Sequence, residues 1–149
     1  MLQFESYLKM KLSKITIEAT ISKDIQTTWE KYTQPEHITQ WNFASDDWCC
    51  PSAQNDLKVG GTYVARMEAK DGSFGFDFKV TYTEVIPLQK LHYVMEDGRN
   101  AEITFTAQQG NTVVIIEFDP ETENPVEMQQ QGWQAILTNF KKYVELATT

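Results

Sequence analysis

The chain has 149 residues, enough to bury the core of one domain, and its mix of 41% hydrophobic and 23% charged residues is that of a globular protein. Its 21 acidic and 13 basic side chains leave a net charge of −8. That balance argues against a nucleic-acid partner, whose phosphates call for clustered Lys and Arg, and against adsorption to anionic lipid.

The longest aliphatic run, Val113 to Ile116, is far too short to cross a membrane. The first residues, MLQFESYLKMKLSK, lack the apolar segment of a secretory signal. The expectation is a cytoplasmic protein with no membrane partner. Residues 1–13 read as an N-terminal extension and residues 14–149 as a single domain.

Ile15, Ile17, Ala19 and Ile21 alternate with polar residues, the pattern of a half-buried strand. In SKDIQTTWEKYT, Asp24 caps a short helix whose inner face carries Ile25, Trp29 and Tyr32. QPEHITQW starts a second one with Pro35 in its first turn and Ile38 and Trp41 inward. The stretch WNFASDDWCCPSA follows, and it reads as a loop closing the end of the fold like a lid. Asp46 and Asp47 belong on its rim, and Pro51 stiffens its exit.

From residue 55 the period is two. Asp71-Gly72 is a two-residue turn that sets Arg66 against Asp77 on the solvent face, and Met67 against Phe76 and Ala65 against Phe78 inside. A three-residue turn, Asp97-Gly98-Arg99, sets Tyr93 against Ile103 and Leu91 against Phe105. A turn at Gly110-Asn111 sets Phe105 against Ile116, Ile103 against Phe118 and Thr104 against Glu117. The chain ends in a long helix opened by Asn124, Pro125 and Glu127. Its apolar stripe is Met128, Trp133, Ile136, Leu137, Phe140, Tyr143 and Val144.

The predicted architecture is α+β: a curved antiparallel sheet of about six to seven strands wrapped on a long C-terminal helix, with two short helices after strand 1. A sheet with one apolar face must cover it, and the terminal helix is the cover. The segments ISKDIQTTWEKYTQPEHITQW, NDLKVGG, GFDF, YTEVIPLQKL, NTVVIIEF and GWQAIL resemble, in this order, the activator of heat-shock-protein ATPase homologue-like family. That family lies within the START-like, or SRPBCC, superfamily of helix-grip folds. The resemblance runs from residue 15 to residue 146 and implies an apolar cavity between sheet and helix. Many relatives carry a histidine between the loop tryptophan and the Cys-Pro pair, where this chain has Cys49. The activators that name the family also have a separate N-terminal domain, so the resemblance implies the fold and not the co-chaperone role.

The expected cavity residues are Trp41, Phe43 and Trp48 from the helices and loop, and Met67, Phe76, Phe78, Tyr93, Met95, Phe105 and Phe118 from the sheet. The terminal helix adds Met128, Trp133 and Phe140. An aromatic stripe of this kind is also how a packed core reads. With the superfamily cavity it suggests binding of a small apolar or amphipathic ligand.

An enzyme of the cyclase or hydrolase kind in the same cavity is the alternative, and a co-chaperone-like interaction module the third; a homodimer is compatible with all three. No catalytic residue is assigned. His92 faces outward by alternation and His37 belongs to a helix surface, while Glu68, Asp77 and Glu117 fall on the outer face. Cys49 and Cys50 are adjacent, which disfavours a structural disulfide, and the two histidines are not spaced for zinc. Free thiols and no metal or cofactor are expected.

Overall fold

The computed structural model describes residues 13–146. Of the expected N-terminal extension, all but Ser13 lies outside the described residues.

Strand β1 (Ile15–Ile21) buries Ile15, Ile17 and Ile21, as its alternation requires. Helix α1 (Ile25–Thr33) starts where Asp24 Oδ2 accepts the Thr27 amide at 3.2 Å, and helix α2 (Pro35–Trp41) follows after Gln34. Five hairpin-linked strands, β3 (Thr62–Ala69), β4 (Gly75–Ile86), β5 (Lys90–Met95), β6 (Asn100–Gln108) and β7 (Asn111–Phe118), lead to helix α3 (Val126–Leu146). The stretch expected as a lid is in part strand β2 (Trp48–Asn55). A register shift between Cys49 and Ser52 breaks its alternation and hides the strand from a period-two reading. Pro51, which cannot donate to a ladder, sits at that shift on an edge strand, where it is tolerated.

The seven strands form one antiparallel sheet in the order β1-β7-β6-β5-β4-β3-β2. β1 and β2 are consecutive in the chain yet lie at opposite edges, and α1 and α2 make the crossing between them. The β3–β4 register is as expected, with Arg66 opposite Asp77, Met67 opposite Phe76 and Ala65 opposite Phe78.

The next two registers are each displaced by two residues from expectation. Ile103 faces Leu91, not Tyr93, and Phe105 faces Val114, not Ile116. The cause lies in the turns. Gln109 and Gly110 both take positive φ, 53° and 86°, so glycine fills the second place of the two-residue turn. At the preceding hairpin the Met95 amide donates to Arg99 O at 2.7 Å, which leaves Glu96, Asp97 and Gly98 as the loop, with Gly98 at φ 91°. A displacement of two preserves which face each side chain occupies, so the inner face is still the expected one.

Helix α3 lies against that face with Leu137, Phe140 and Val144 fully buried. Phe140 meets Tyr32 and Trp41 edge-to-face at 5.1 and 4.9 Å, locking α1 and α2 to it. Trp133 stacks on Phe118 at 3.9 Å and 10°. Met128, expected inward, is 57% exposed, because it lies in the first turn of the helix.

Phe140→Ala removes a fully enclosed ring and should cost about 3–5 kcal/mol in chemical denaturation. Asp77→Ala should leave the melting temperature unchanged, because its pair with Arg66, at 3.4 Å, is exposed to solvent. A large loss in the second variant would contradict the facing of β4.

Candidate functional site

Between α3 and the inner face of the sheet is a cavity of about 290 Å³. Its floor is Tyr63 and Met67 of β3, Phe76 and Phe78 of β4, Tyr93 of β5 and Ile116 of β7. Trp133, Ile136 and Leu137 of α3 form the roof, and Tyr32, Trp41 and Asn42 close one end. Arg99, immediately before β6, completes the lining. The inward positions of each strand are two apart, which is why Tyr63 and Met67, or Phe76 and Phe78, share the floor.

Trp41 is held rigidly. Its indole N–H donates to Lys31 O at 2.9 Å, and Asn139 Nδ2 donates to its carbonyl at 2.8 Å.

The polar groups on this wall are few. Asn42, 7% exposed, donates from Nδ2 to Tyr63 Oη at 3.2 Å. The hydroxyls of Tyr32 and Tyr93 have no hydrogen-bond partner among the described residues. Both residues line the cavity, and no fully enclosed side-chain nitrogen or oxygen of the described residues lacks a partner, so neither hydroxyl is sealed in the core. Burial raises the pKa of Tyr32, Tyr63 and Tyr93 above the ordinary phenol range; the charge of Arg99 pulls Tyr93 part of the way back. All three are therefore protonated at neutral pH. They can donate to a ligand oxygen, but they are not set up to abstract a proton.

Arg99 is the residue that sequence reading missed. It was assigned to a turn, whereas the true loop ends at Gly98 and leaves Arg99 opposite Met95. It thus continues the inward series of Phe105, Ile103 and Ala101. A register fixed by the positive φ of Gly98 would have exposed it.

Of the residues expected at a cavity, Trp41, Met67, Phe76, Phe78, Tyr93 and Trp133 stand on its wall. Met95, Phe105, Phe118 and Phe140 are buried in the surrounding core. Trp48 packs edge-to-face on Phe74 and Phe76 at the outer lip, 6.1 and 6.2 Å between centroids. Phe43 lines a separate polar groove of about 520 Å³ against Gln130, Gln134 and Lys142 of α3. Met128 is on neither wall.

Cys50 is a buried free thiol pushed up to about 11, mainly by burial, and Cys49 is half-buried and also free. Among the described residues no cluster of His, Cys, Asp or Glu could hold a metal.

His37 lies outside the cavity, with Nδ1 2.6 Å from Tyr143 Oη, and ties α2 to α3. Burial, and then the charge of Lys31, hold its pKa below the ordinary imidazole range. As pH falls below about 6.5 the unfolded chain takes up the proton first. The stability that His37 contributes is therefore complete above that value and is lost as pH falls through the lower folded one.

The melting temperature should accordingly drop more steeply between about pH 7.5 and 5.5 in the wild type than in His37→Gln. Equal slopes would remove this linkage. Trp133→Ala should cost less than the ~3–5 kcal/mol of a fully packed ring, since one face of the indole borders open space. A loss equal to that of Phe140→Ala would mean that the space is closed in solution.

Comparison with known proteins places these features in a family. The sequence profile described as Activator of Hsp90 ATPase homolog 1-like protein matches residues 24–145. The solution structure of the AHSA1-like protein from Aeromonas hydrophila is 46% identical with a TM-score of 0.84, covering 89% of this chain and 92% of that one. The solution structure of Chr148 from Cytophaga hutchinsonii is 47% identical with a TM-score of 0.78, over the same shares of 89% and 92%. Protein NE0264 from Nitrosomonas europaea shares the fold alone, at 17% identity and a TM-score of 0.78 over 91% of this chain and 96% of that one. Among curated protein sequences none matches significantly. The chain belongs to the Activator of Hsp90 ATPase homolog 1-like family and has its helix-grip, START-like fold.

Proposed function

We propose that this protein binds a small amphipathic molecule in the cavity between the sheet and α3. The observation that carries the reading is an aromatic-walled space lined by two tyrosines, Tyr32 and Tyr93, whose hydroxyls have no protein partner. Its volume of about 290 Å³ is near the lower end of small-molecule pockets, so the ligand is compact. Apolar walls with a few placed donors are the usual composition of such sites. The lip formed by Trp48, Phe74 and Phe76, the last two 61% and 43% exposed, offers an apolar approach to the floor. Binding rather than turnover is favoured, because the ionisable groups on the wall are protonated tyrosines and an arginine. We place this activity in the cytoplasm.

Native mass spectrometry of freshly purified protein should show a bound mass that disappears on denaturation. A neutral probe such as 3-phenyl-1-propanol should change tryptophan emission and raise the melting temperature. At a hundredfold excess over its dissociation constant, the stabilisation is about 2.7 kcal/mol. A chelator or a reductant should alter neither. No co-purifying mass together with no response to the probe would refute the reading, and a large effect of chelator or reductant would restore a metal or disulfide role for the cysteines.

A further inference from the structure

The polar end of the ligand can be specified from the wall that would receive it, an inference that rests on the cavity being a binding site. Among the residues lining the cavity, Arg99 is the one with a permanent charge. A guanidinium has five N–H donors. Here Nε donates to Asp97 Oδ2 at 2.7 Å, and Nη1 donates to Asp119 O in a long bond of 3.4 Å. Nη2 and the second Nη1 proton have no hydrogen-bond acceptor among the described residues. Asp97 takes only the Nε corner, and its side chain is 55% exposed, so water already solvates much of its charge. Asp119 is occupied by Lys14 at 2.7 Å and by the Asn100 amide at 2.8 Å, so its carboxylate does not compete for the open corner.

Tyr93, whose hydroxyl also has no protein partner, lines the same cavity, and because it pairs with Ala101 it is a diagonal neighbour of Arg99 on the inner face. A guanidinium N–H edge and a phenol O–H on one cavity wall suit an acceptor with two oxygens, which can take both donors at once. Arginine matches a carboxylate in geometry and charge, and charge-assisted bonds of this kind are about twice as strong as neutral ones. The protein as a whole carries −8, so long-range electrostatics oppose an anion. A cation held on the cavity wall is the local correction that an anionic ligand would require.

We propose that the ligand is a compact carboxylic acid. Its carboxylate is held by Arg99 and Tyr93 at the β5–β6 end, and its apolar body lies along Phe78 and Trp133. The size of the cavity limits that body to about one ring with a short chain.

The test uses three probes with a common body: 3-phenylpropanoate, 3-phenylpropanamide and 3-phenyl-1-propanol, each titrated by tryptophan fluorescence and by protein NMR shifts. The wild type should bind the acid about tenfold more tightly than either neutral probe, the least expected of a hydrogen bond to a charged partner. In Arg99→Met the ratio of acid to alcohol should fall to about one, and Arg99→Lys should recover part of it. Tyr93→Phe should reduce the ratio without abolishing it. Should Arg99→Met fail to fold, the lysine and phenylalanine variants carry the test. Equal binding of acid and alcohol, or of acid and amide, would overturn the proposal while leaving the cavity reading intact. A preference for the acid that survives in Arg99→Met would overturn it too. Binding of none of the three would overturn both.

Discussion

The concave face of the sheet is wider than the single helix that covers it, and most of the molecule follows from that mismatch. Seven strands at about 4.8 Å spacing span roughly 29 Å, while a helix with its side chains is about 10–12 Å across. Helix α3, at 21 residues, has the length to run along the face but not the width to fill it. At one end the shortfall is made up by α1 and α2, clamped through Tyr32 and Trp41 to Phe140. Elsewhere it is left as space. The cavity is thus a consequence of packing one cylinder into a curved sheet, and its aromatic walls are the side chains that would otherwise have met.

The same geometry governs the chemistry. A tyrosine beneath a helix must either bond to a neighbour or open onto a void. Tyr63 bonds to Asn42, and Tyr82 donates to Asn55 Oδ1 at 2.7 Å, but Tyr32 and Tyr93, on the cavity wall, have no hydrogen-bond partner among the described residues. Desolvation keeps these phenols protonated, so the site presents donors and no base. The carboxylates of β3, β4 and β7 stand on the opposite face, where they pair with cations or meet water; Glu68 does so with Arg66 at 2.8 Å. The acids thus stand outside and the phenols inside.

Much of the fold was legible because burial imposes a period on each element. Alternation located β1 and the later strands, and the stripe of Leu137, Phe140 and Val144 located α3. Two things resisted. β2 lost its alternation to the irregularity around Cys50 and Pro51, so its residues read as loop. The registers of β5 with β6 and of β6 with β7 were ambiguous by two, since a slip of two leaves every side chain on the same face. Only the glycine that must take positive φ distinguishes the alternatives, and its place within the turn is not marked in the pattern.

The sequence by itself determined the class of fold, the order of its elements, the inner face of each clearly alternating strand and the apolar stripe of the covering helix. Each of these is set by local spacing against a water-excluding core. Tertiary structure alone decided which of those inner residues border open space and which are packed solid. Phe105 and Phe78 are alike in sequence pattern, yet one is enclosed between Trp29 and Tyr32 while the other faces the cavity. It also decided that Arg99 belongs to the inner face and not to a turn, because that depends on a register settled by backbone pairing across the hairpin. A void is a property of how surfaces fail to meet, and no single segment carries that information.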